Sequence, residues 1–296
     1  MASSSLVILN QPSTDAAAHD PSAPPWQIAD PKSPQLSVLD LAATRGDGIF
    51  ESVSVAHGVP HALEAHLARF VHSAELLDLP TPDVEAWRGA IAAAIEQVDV
   101  TDEAFVKTVL TRGIEGDGRP TGWVYAAVAP DHTAARTTGI RVVTLDRGYR
   151  HDVERTSPWL LAGAKTLSYA VNRAVLREAA RRDADDVIFV SSDGYVLEGP
   201  TSSVIFRRGT RLGTPGTGLG ILDGTTQGDI FGWANESGYE TGFEMLTVDE
   251  LATTDAAWLV SSGRHAAPIR ALNGVDFPVD DDLTAAINAY LLSRTD

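Results

Sequence analysis

Residues 48–63, GIFESVSVAHGVPHAL, alternate about a Gly-Val-Pro turn, and the apolar period then changes: Leu63, Leu67, Phe70, Val71, Ala74 and Leu77 recur at helical spacing. A two-residue repeat reads as a hairpin and a repeat of about 3.6 residues as an amphipathic helix. A hairpin followed directly by such a helix points to a sheet with helices packed on it, the α+β class. The chain continues in the same manner. DVEAWRGAIAAAIEQV reads as a second helix, and AFVKTVLTRG and GWVYAAVAP as strands around a glycine-rich connection, closing a unit near residue 130.

DHTAARTTG, residues 131–139, has no apolar pattern and reads as a linker, after which IRVVTL opens a second unit. There a helix over residues 169–182 leads to the strand DVIFVSS, a turn at Asp193-Gly194, and the strands YVLEG and SSVIFRR. TTQGDIFGWANESG is a helix entered by threonines and left at Gly238. AAWLVSS is a buried strand, and DDDLTAAINAYLLSR a closing helix with acidic residues at its start. The expected organisation is an extended arm over residues 1–35, rich in Pro, Ala and Ser, a smaller α+β domain over 36–130, the linker, and a larger α+β domain over 140–296.

The 296 residues, 44% of them hydrophobic, can bury a sizeable core. A formal charge of −17 repels phosphate backbones and leaves no basic stripe, which argues against nucleic acid as a partner. No apolar run approaches the roughly 20 residues of a membrane span, and MASSSLVILN lacks the basic head and apolar segment of a secretory signal, so the expectation is a cytoplasmic protein. Cysteine is absent, which removes disulfides, thiolate catalysis and thiolate-bound metals. In so acidic a chain an anionic ligand needs local positive groups.

Only three of the 23 basic residues are lysines, Lys32, Lys107 and Lys165. Unlike a guanidinium, an ammonium can lose its proton when desolvated and attack a carbonyl to form a Schiff base. Lys165, in LAGAKTLSYAVN at the mouth of the 169–182 helix, is the candidate; the alternative is an ordinary solvated lysine. Glu198 lies 33 residues further on, enough for a helix, a return strand and a hairpin, so both can reach one cleft. Alternation in YVLEG puts its carboxylate on the face of Val196, where it is either a partner for a protonated ring nitrogen or an edge-strand residue in solvent.

Arg69 in HLARF lies off the apolar stripe, free to meet an anion or water. In LDGTTQGDIF, Gly224 permits close approach while Thr225 and Thr226 open a helix, either as a phosphate seat or as a plain cap. His57, His61 and His66 form no metal-binding set, and no HExxH occurs, so no metal is expected. RGIEGDGRP matches no phosphate-loop or dinucleotide pattern and reads as a flexible loop.

In their order along the chain, RGDGIFESV, HLARFVHSAELLDLP, KTLSYAVNRAVLREA, ADDVIFVSSDGYVLEGPTSSVIF, GILDGTTQ and WLVSSG resemble the class IV aminotransferase family, the fold-type IV pyridoxal-phosphate enzymes. Its members include branched-chain and D-amino-acid transaminases and aminodeoxychorismate lyase. The resemblance implies the two-domain fold-type IV architecture, a homodimer, and pyridoxal 5′-phosphate bonded to Lys165 in the larger domain. It further implies that Glu198 holds the pyridine nitrogen, that Arg69, Thr225 and Thr226 hold the phosphate, and that Tyr169 flanks the cofactor. Ser202-Ser203 and the SSG of residues 261–263 depart from the family's commoner Ser-Asn and Ser-Gly-Thr, which bears on secondary contacts only.

VKTVLTRGIEGDGRP and the stretches KTLSYAVN through GPTSSV look most like aminodeoxychorismate lyases. The reaction so implied is cleavage of 4-amino-4-deoxychorismate to pyruvate and 4-aminobenzoate, with Lys165 as general base. An amino-acid aminotransferase of the same fold is the alternative, and a non-catalytic binding protein of that fold a third reading. Arg112 is the expected clamp for a substrate carboxylate, with Arg119 and Arg264 as the other candidates.

Overall fold

The computed structural model describes residues 3–15, 22–99 and 103–295. They divide into two compact units, one running to Pro130 and including Ala164–Tyr169, the other made of Asp131–Gly163 and Ala170–Arg294.

The first unit contains β1 (Ser4–Leu9), β2 (Trp26–Ala29), α1 (Leu41–Arg45), β3 (Gly48–Ala56), β4 (Val59–Pro60), α2 (Leu63–Leu76), α3 (Val84–Glu96), β5 (Glu103–Thr111) and β6 (Thr121–Val128). Its strands form one antiparallel sheet in the order β2-β1-β6-β5-β3-β4. Register puts Val7, Val124, Thr108 and Glu51 in one row across four strands, and Ile49, Val53, Val106 and Ala126 share that face. All are buried against α2 and α3, where Phe70 and Trp87 meet edge to face at 4.9 Å. Side chains at successive strand positions point to opposite faces, so this alternation sets which residues look away from the helices.

One sequence expectation about the start of this unit is corrected. The first 35 residues are not an extended arm, because Ser4–Leu9 pairs with both β2 and β6 and Val7 is fully buried. SLVIL is apolar on both faces, the pattern of an interior strand, and shows no alternation by which to recognise it. Residues 22–29 are anchored as well: a Cβ on Gly89 of α3 would lie 2.4 Å from the Trp26 ring, so only glycine admits that ring. Residues 16–21, within the expected arm, lie outside the described residues.

The second unit contains α4 (Thr133–Thr137), β7 (Ile140–Asp146), α5 (Val153–Thr156), α6 (Ala170–Arg181), β8 (Asp186–Val190), β9 (Ser203–Arg208), β10 (Arg211–Thr214), α7 (Thr225–Glu236), β11 (Glu240–Phe243), α8 (Val248–Ala252), β12 (Ala256–Ser261), β13 (His265–Leu272), β14 (Val275–Asp276) and α9 (Asp281–Ser293). The sheet order is β11-β10-β9-β12-β13-β7-β8, with β14 paired to β13. Pairings β10/β11, β13/β7 and β7/β8 are parallel and the rest antiparallel. Ile205, Leu212 and Trp258 pack with Ile230 of α7 and Leu283, Ile287 and Leu291 of α9. Val204, Phe206, Leu259 and Ile269 pack with Leu246, Leu251 and Phe277.

Residues 131–139 are not a bare linker. They carry α4, whose Arg136 is buried and donates from Nε to the Arg264 carbonyl at 3.0 Å. A five-residue helix without an apolar stripe has no periodic signature, and Arg136 fastens it together with Ala135, which packs on the core. Nor is YVLEG a ladder strand: it makes isolated bridges, Val190 with Val196, Tyr195 with Thr247 and Gly199 with Ser202.

Candidate active site

The segment carrying Lys165 belongs to the first unit rather than to the larger one. Helix α6 begins at Ala170, and residues 164–169 run extended beside the start of β3. The Phe50 amide donates to the Lys165 carbonyl at 3.0 Å, the Leu167 amide to the Gly48 carbonyl at 2.8 Å, and the Lys165 amide to Ser73 Oγ at 3.2 Å. A lysine fixed at both backbone ends presents its side chain from a defined point, which a loop lysine does not. Its Nζ lies 4.6 Å from the centroid of the Phe50 ring, and Tyr169 meets the same ring edge to face at 5.1 Å.

Gly48 makes this seating possible. A Cβ there would stand 2.6 Å from the Leu110 carbonyl oxygen and 2.8 Å from Leu167 Cδ1. Gly48→Ala is therefore expected to push the Lys165 segment off β3, costing about 1–3 kcal/mol of stability and roughly 100-fold in activity. Thermal unfolding and steady-state rates check this, and wild-type activity in the variant would contradict it.

Beneath the segment lies a buried ionic cluster. Glu51, inward-facing on β3, accepts from Arg69 Nε and Nη2 at 2.7 Å each and from His66 Nδ1 at 2.7 Å. Burial favours the neutral acid, but the Arg69 guanidinium and the His66 hydrogen bond outweigh it and hold Glu51 well below the usual carboxylate range. Desolvation lowers His66 against the opposing pull of Glu51, and the charges of Arg69 and Lys165 push the same way as burial. The cluster and Lys165 thus share one electrostatic environment. Arg69, expected off the apolar stripe and open to an anion, meets an anion of the chain itself. The sequence reading passes over Glu51, although its inward register between Ile49 and Val53 was a signal: a carboxylate at an apolar position, with His66 and Arg69 spaced on one face of α2.

The second unit carries three of the expected site residues, Glu198, Thr225 and Thr226. Glu198 is half-buried, its carbonyl accepting from the Phe189 amide at 2.8 Å and its Oε2 from the Leu222 amide at 3.2 Å. Helix α7 begins with Thr225 and Thr226 behind Gly224, which supplies no side-chain cap to the first-turn amides. Thr226 is 3% exposed and its hydroxyl lies 3.2 Å from Ser262 Oγ. A Cβ on Gly224 would stand 2.3 Å from Ser203 Oγ, so the backbone approach is open to glycine only. A helix N-terminus without a side-chain cap, two threonine hydroxyls and a glycine approach form a cradle chemically suited to a phosphate. An amine, a carboxylate and that cradle are the three functions that pyridoxal phosphate requires, so the donor set fits the cofactor that the resemblance implies.

Arg112, the expected substrate clamp, is engaged within the first unit. Its Nε and Nη2 donate to Asp47 at 2.7 and 3.3 Å, Nη2 also to the Leu77 carbonyl at 2.6 Å, and Nη1 to the Asp78 carbonyl at 3.0 Å. With its donors so committed it ties the end of β5 to α2. Arg264 Nη2 sits 2.7 Å from buried Asp186, and Arg119 is exposed in the loop after Gly113. Among the described residues no three of His, Cys, Asp and Glu are grouped to hold a metal, and no helix is long and apolar enough to cross a membrane.

The family model for amino-transferase class IV matches residues 48–272. The chain is 44% identical over 262 residues to a bifunctional aminodeoxychorismate lyase / D-amino acid transaminase of Mycobacterium tuberculosis, covering 85% of this chain and 91% of the relative. A fold IV-transaminase of Curtobacterium pusillum is 53% identical, with a TM-score of 0.93 and 99% of each chain covered. A hypothetical aminotransferase from M. tuberculosis, solved in a form with pyridoxal phosphate bound, is 40% identical, with a TM-score of 0.89 and 98% and 99% coverage.

Proposed function

Because the chain belongs to the class IV amino-transferase family, we propose that it exchanges an amino group between an amino acid and a keto acid, using pyridoxal 5′-phosphate. A second reading, cleavage of 4-amino-4-deoxychorismate to pyruvate and 4-aminobenzoate, draws support from the relative that carries both activities in its name. The same residues serve either reaction. The observation that carries the proposal is Lys165, one of three lysines, hydrogen-bonded into β3 at its backbone and facing an aromatic ring.

When bound, the cofactor supplies an aldehyde that captures amines and a protonated ring that accepts the electron pair released from the substrate. Lys165 is the residue that would hold that aldehyde. Its Nζ would also serve as the general base that takes the proton from the amine-bearing carbon of the substrate. Glu198, kept half-buried and oriented by the Leu222 amide, would hold a proton on the ring nitrogen. Thr225, Thr226 and the first-turn amides of α7 would bind the phosphate, with Arg69 as its cation; Glu51 holds the Nε and Nη2 edge of that guanidinium in place. Tyr169 would close one side of the cofactor. D-amino acids are the first donors to test, since the named activities include them.

The test is to incubate the purified enzyme with D- and L-amino acids plus pyruvate or 2-oxoglutarate, and separately with aminodeoxychorismate, and to assay new amino acids and 4-aminobenzoate. New amino acid is expected. Aromatic product without amino transfer would overturn the first reading in favour of the second, and neither product would overturn both.

A further inference from the structure

The hairpin of β12 and β13 ends in a short tip. Ser261 pairs in register with His265, so Ser262, Gly263 and Arg264 make the turn. His265 closes it with φ at 60° and is buried, in a left-handed conformation that glycine adopts freely and a residue with a side chain does not. Such a turn keeps its shape only when its surroundings fix it. The Ser261 hydroxyl accepts from the Arg264 amide at 3.3 Å, Arg264 Nη2 lies 2.7 Å from buried Asp186 of β8, and Asn288 of α9 bonds both backbone groups of Ala266.

Arg136 of α4 grips the same turn from another side. Its Nε donates to the Arg264 carbonyl at 3.0 Å and its Nη2 to the Gly263 carbonyl at 3.4 Å, so one buried guanidinium holds two successive carbonyls of a three-residue tip. Fastening α4 does not by itself call for a buried cation. An aliphatic side chain packed beside Ala135 on the core would do so without desolvating a charge. What the guanidinium adds is direction, because its planar donors fix where the two carbonyls stand.

The tip presents Ser262, whose Oγ lies 3.2 Å from Thr226 Oγ1 in the cradle at the start of α7. Ser203, the residue whose Oγ a Cβ on Gly224 would meet at 2.3 Å, pairs in register with Val260 of the same hairpin. The hydroxyls on this side of the cradle are therefore set by the hairpin, and that of Ser262 by its tip.

We infer that Arg136 is a positioning residue for the phosphate seat: by holding the carbonyls of Gly263 and Arg264 it keeps the Ser262 hydroxyl beside Thr226 before any ligand arrives. It acts through the turn and not on the phosphate itself. Donors ordered in advance bind an anion more tightly than donors that must be ordered on binding. The inference rests on the proposed use of pyridoxal phosphate.

The test takes full-length wild type, Arg136→Met, Arg136→Lys and Ser262→Ala, each freed of cofactor, and titrates them with pyridoxal phosphate and with pyridoxal, which lacks the phosphate. Arg136→Met is expected to weaken binding of pyridoxal phosphate about 10-fold, the scale of one hydrogen bond to a charged group, and to leave that of pyridoxal unchanged. Arg136→Lys is expected to recover part of the loss. In a Ser262→Ala background Arg136→Met is expected to add little, because the hydroxyl it places is gone. Unchanged affinity for pyridoxal phosphate in Arg136→Met, or equal weakening of both ligands as a merely structural role would give, overturns the inference and leaves the proposed function standing. Wild-type protein that binds neither ligand overturns the proposed cofactor instead, and the inference with it. Should a thermal melt show that the Met variant does not fold, Arg136→Lys carries the test: a loss confined to the phosphorylated ligand supports the inference, and any other result counts against it.

Discussion

Lys165→Ala is expected to abolish turnover, by on the order of 10⁴-fold or more, while the protein still folds and still takes up pyridoxal phosphate without covalent attachment. The size of the loss follows from the two tasks that the proposed reaction gives one nitrogen, to hold the cofactor's aldehyde and to move the substrate's proton. Stability is expected to change little, because the bonds that seat the segment are made by backbone atoms of Lys165, Phe50, Leu167 and Gly48 and by Ser73 Oγ, none of which the substitution removes. Absorbance of the cofactor and a thermal melt, taken on the same sample, separate the two effects. Full turnover in the variant is incompatible with the mechanism.

The second large effect is on stability. Glu51→Ala takes from Arg69 the carboxylate that accepts from its Nε and Nη2, in a site where the carboxylate is 2% and the guanidinium 11% exposed. Breaking a buried pair from one side costs about 3–5 kcal/mol, because the remaining charge is desolvated without compensation. The first unit is expected to melt roughly 10 °C lower. Glu51→Gln, which keeps the shape and one acceptor, is expected to lose less. The same cluster sets an acid limit. Both Glu51 and His66 have folded-state pKa values below their unfolded ones, so both contribute stability that is complete at higher pH and lost on acidification. The His66 contribution declines as the pH falls below about 6.5, and that of Glu51 below about 4.5, the ordinary values of the two groups. Melting temperatures measured from pH 8 down to pH 4 should fall in those windows, with the lower limb weakened in Glu51→Gln. A protein whose stability rises as the pH drops from 6.5 to 4.5 would rule this out.

How much of this was legible depends on whether burial leaves a period in the sequence. Helix α2 is half-buried and shows its repeat plainly, and β3, though buried at nearly every position, still alternates in residue type. The strand β1 is not legible, because it is interior and its Leu6–Leu9 stretch is apolar on both faces, and α4 is not, because it is short and held by Arg136 and the single apolar contact of Ala135. Lys165, Glu198, Thr225 and Thr226 could be nominated from residue type and motif. What the sequence could not supply was the company each keeps. Extended pairing of residues 164–169 with β3 draws Lys165 into the first unit, and only the register of β3 turns Glu51 inward to Arg69 and His66. Arg112 was nominated by type as well, and its partners, backbone carbonyls and Asp47, are ones that sequence spacing does not reveal.

The central claim is that Lys165, and neither Lys32 nor Lys107, bonds covalently to pyridoxal phosphate. Treating the loaded enzyme with borohydride fixes such a link, and mass spectrometry of the proteolysed chain locates it. The account predicts a phosphopyridoxyl group on the peptide that contains Lys165. Label on either other lysine, or an unlabelled chain from enzyme shown to contain the cofactor, would contradict it.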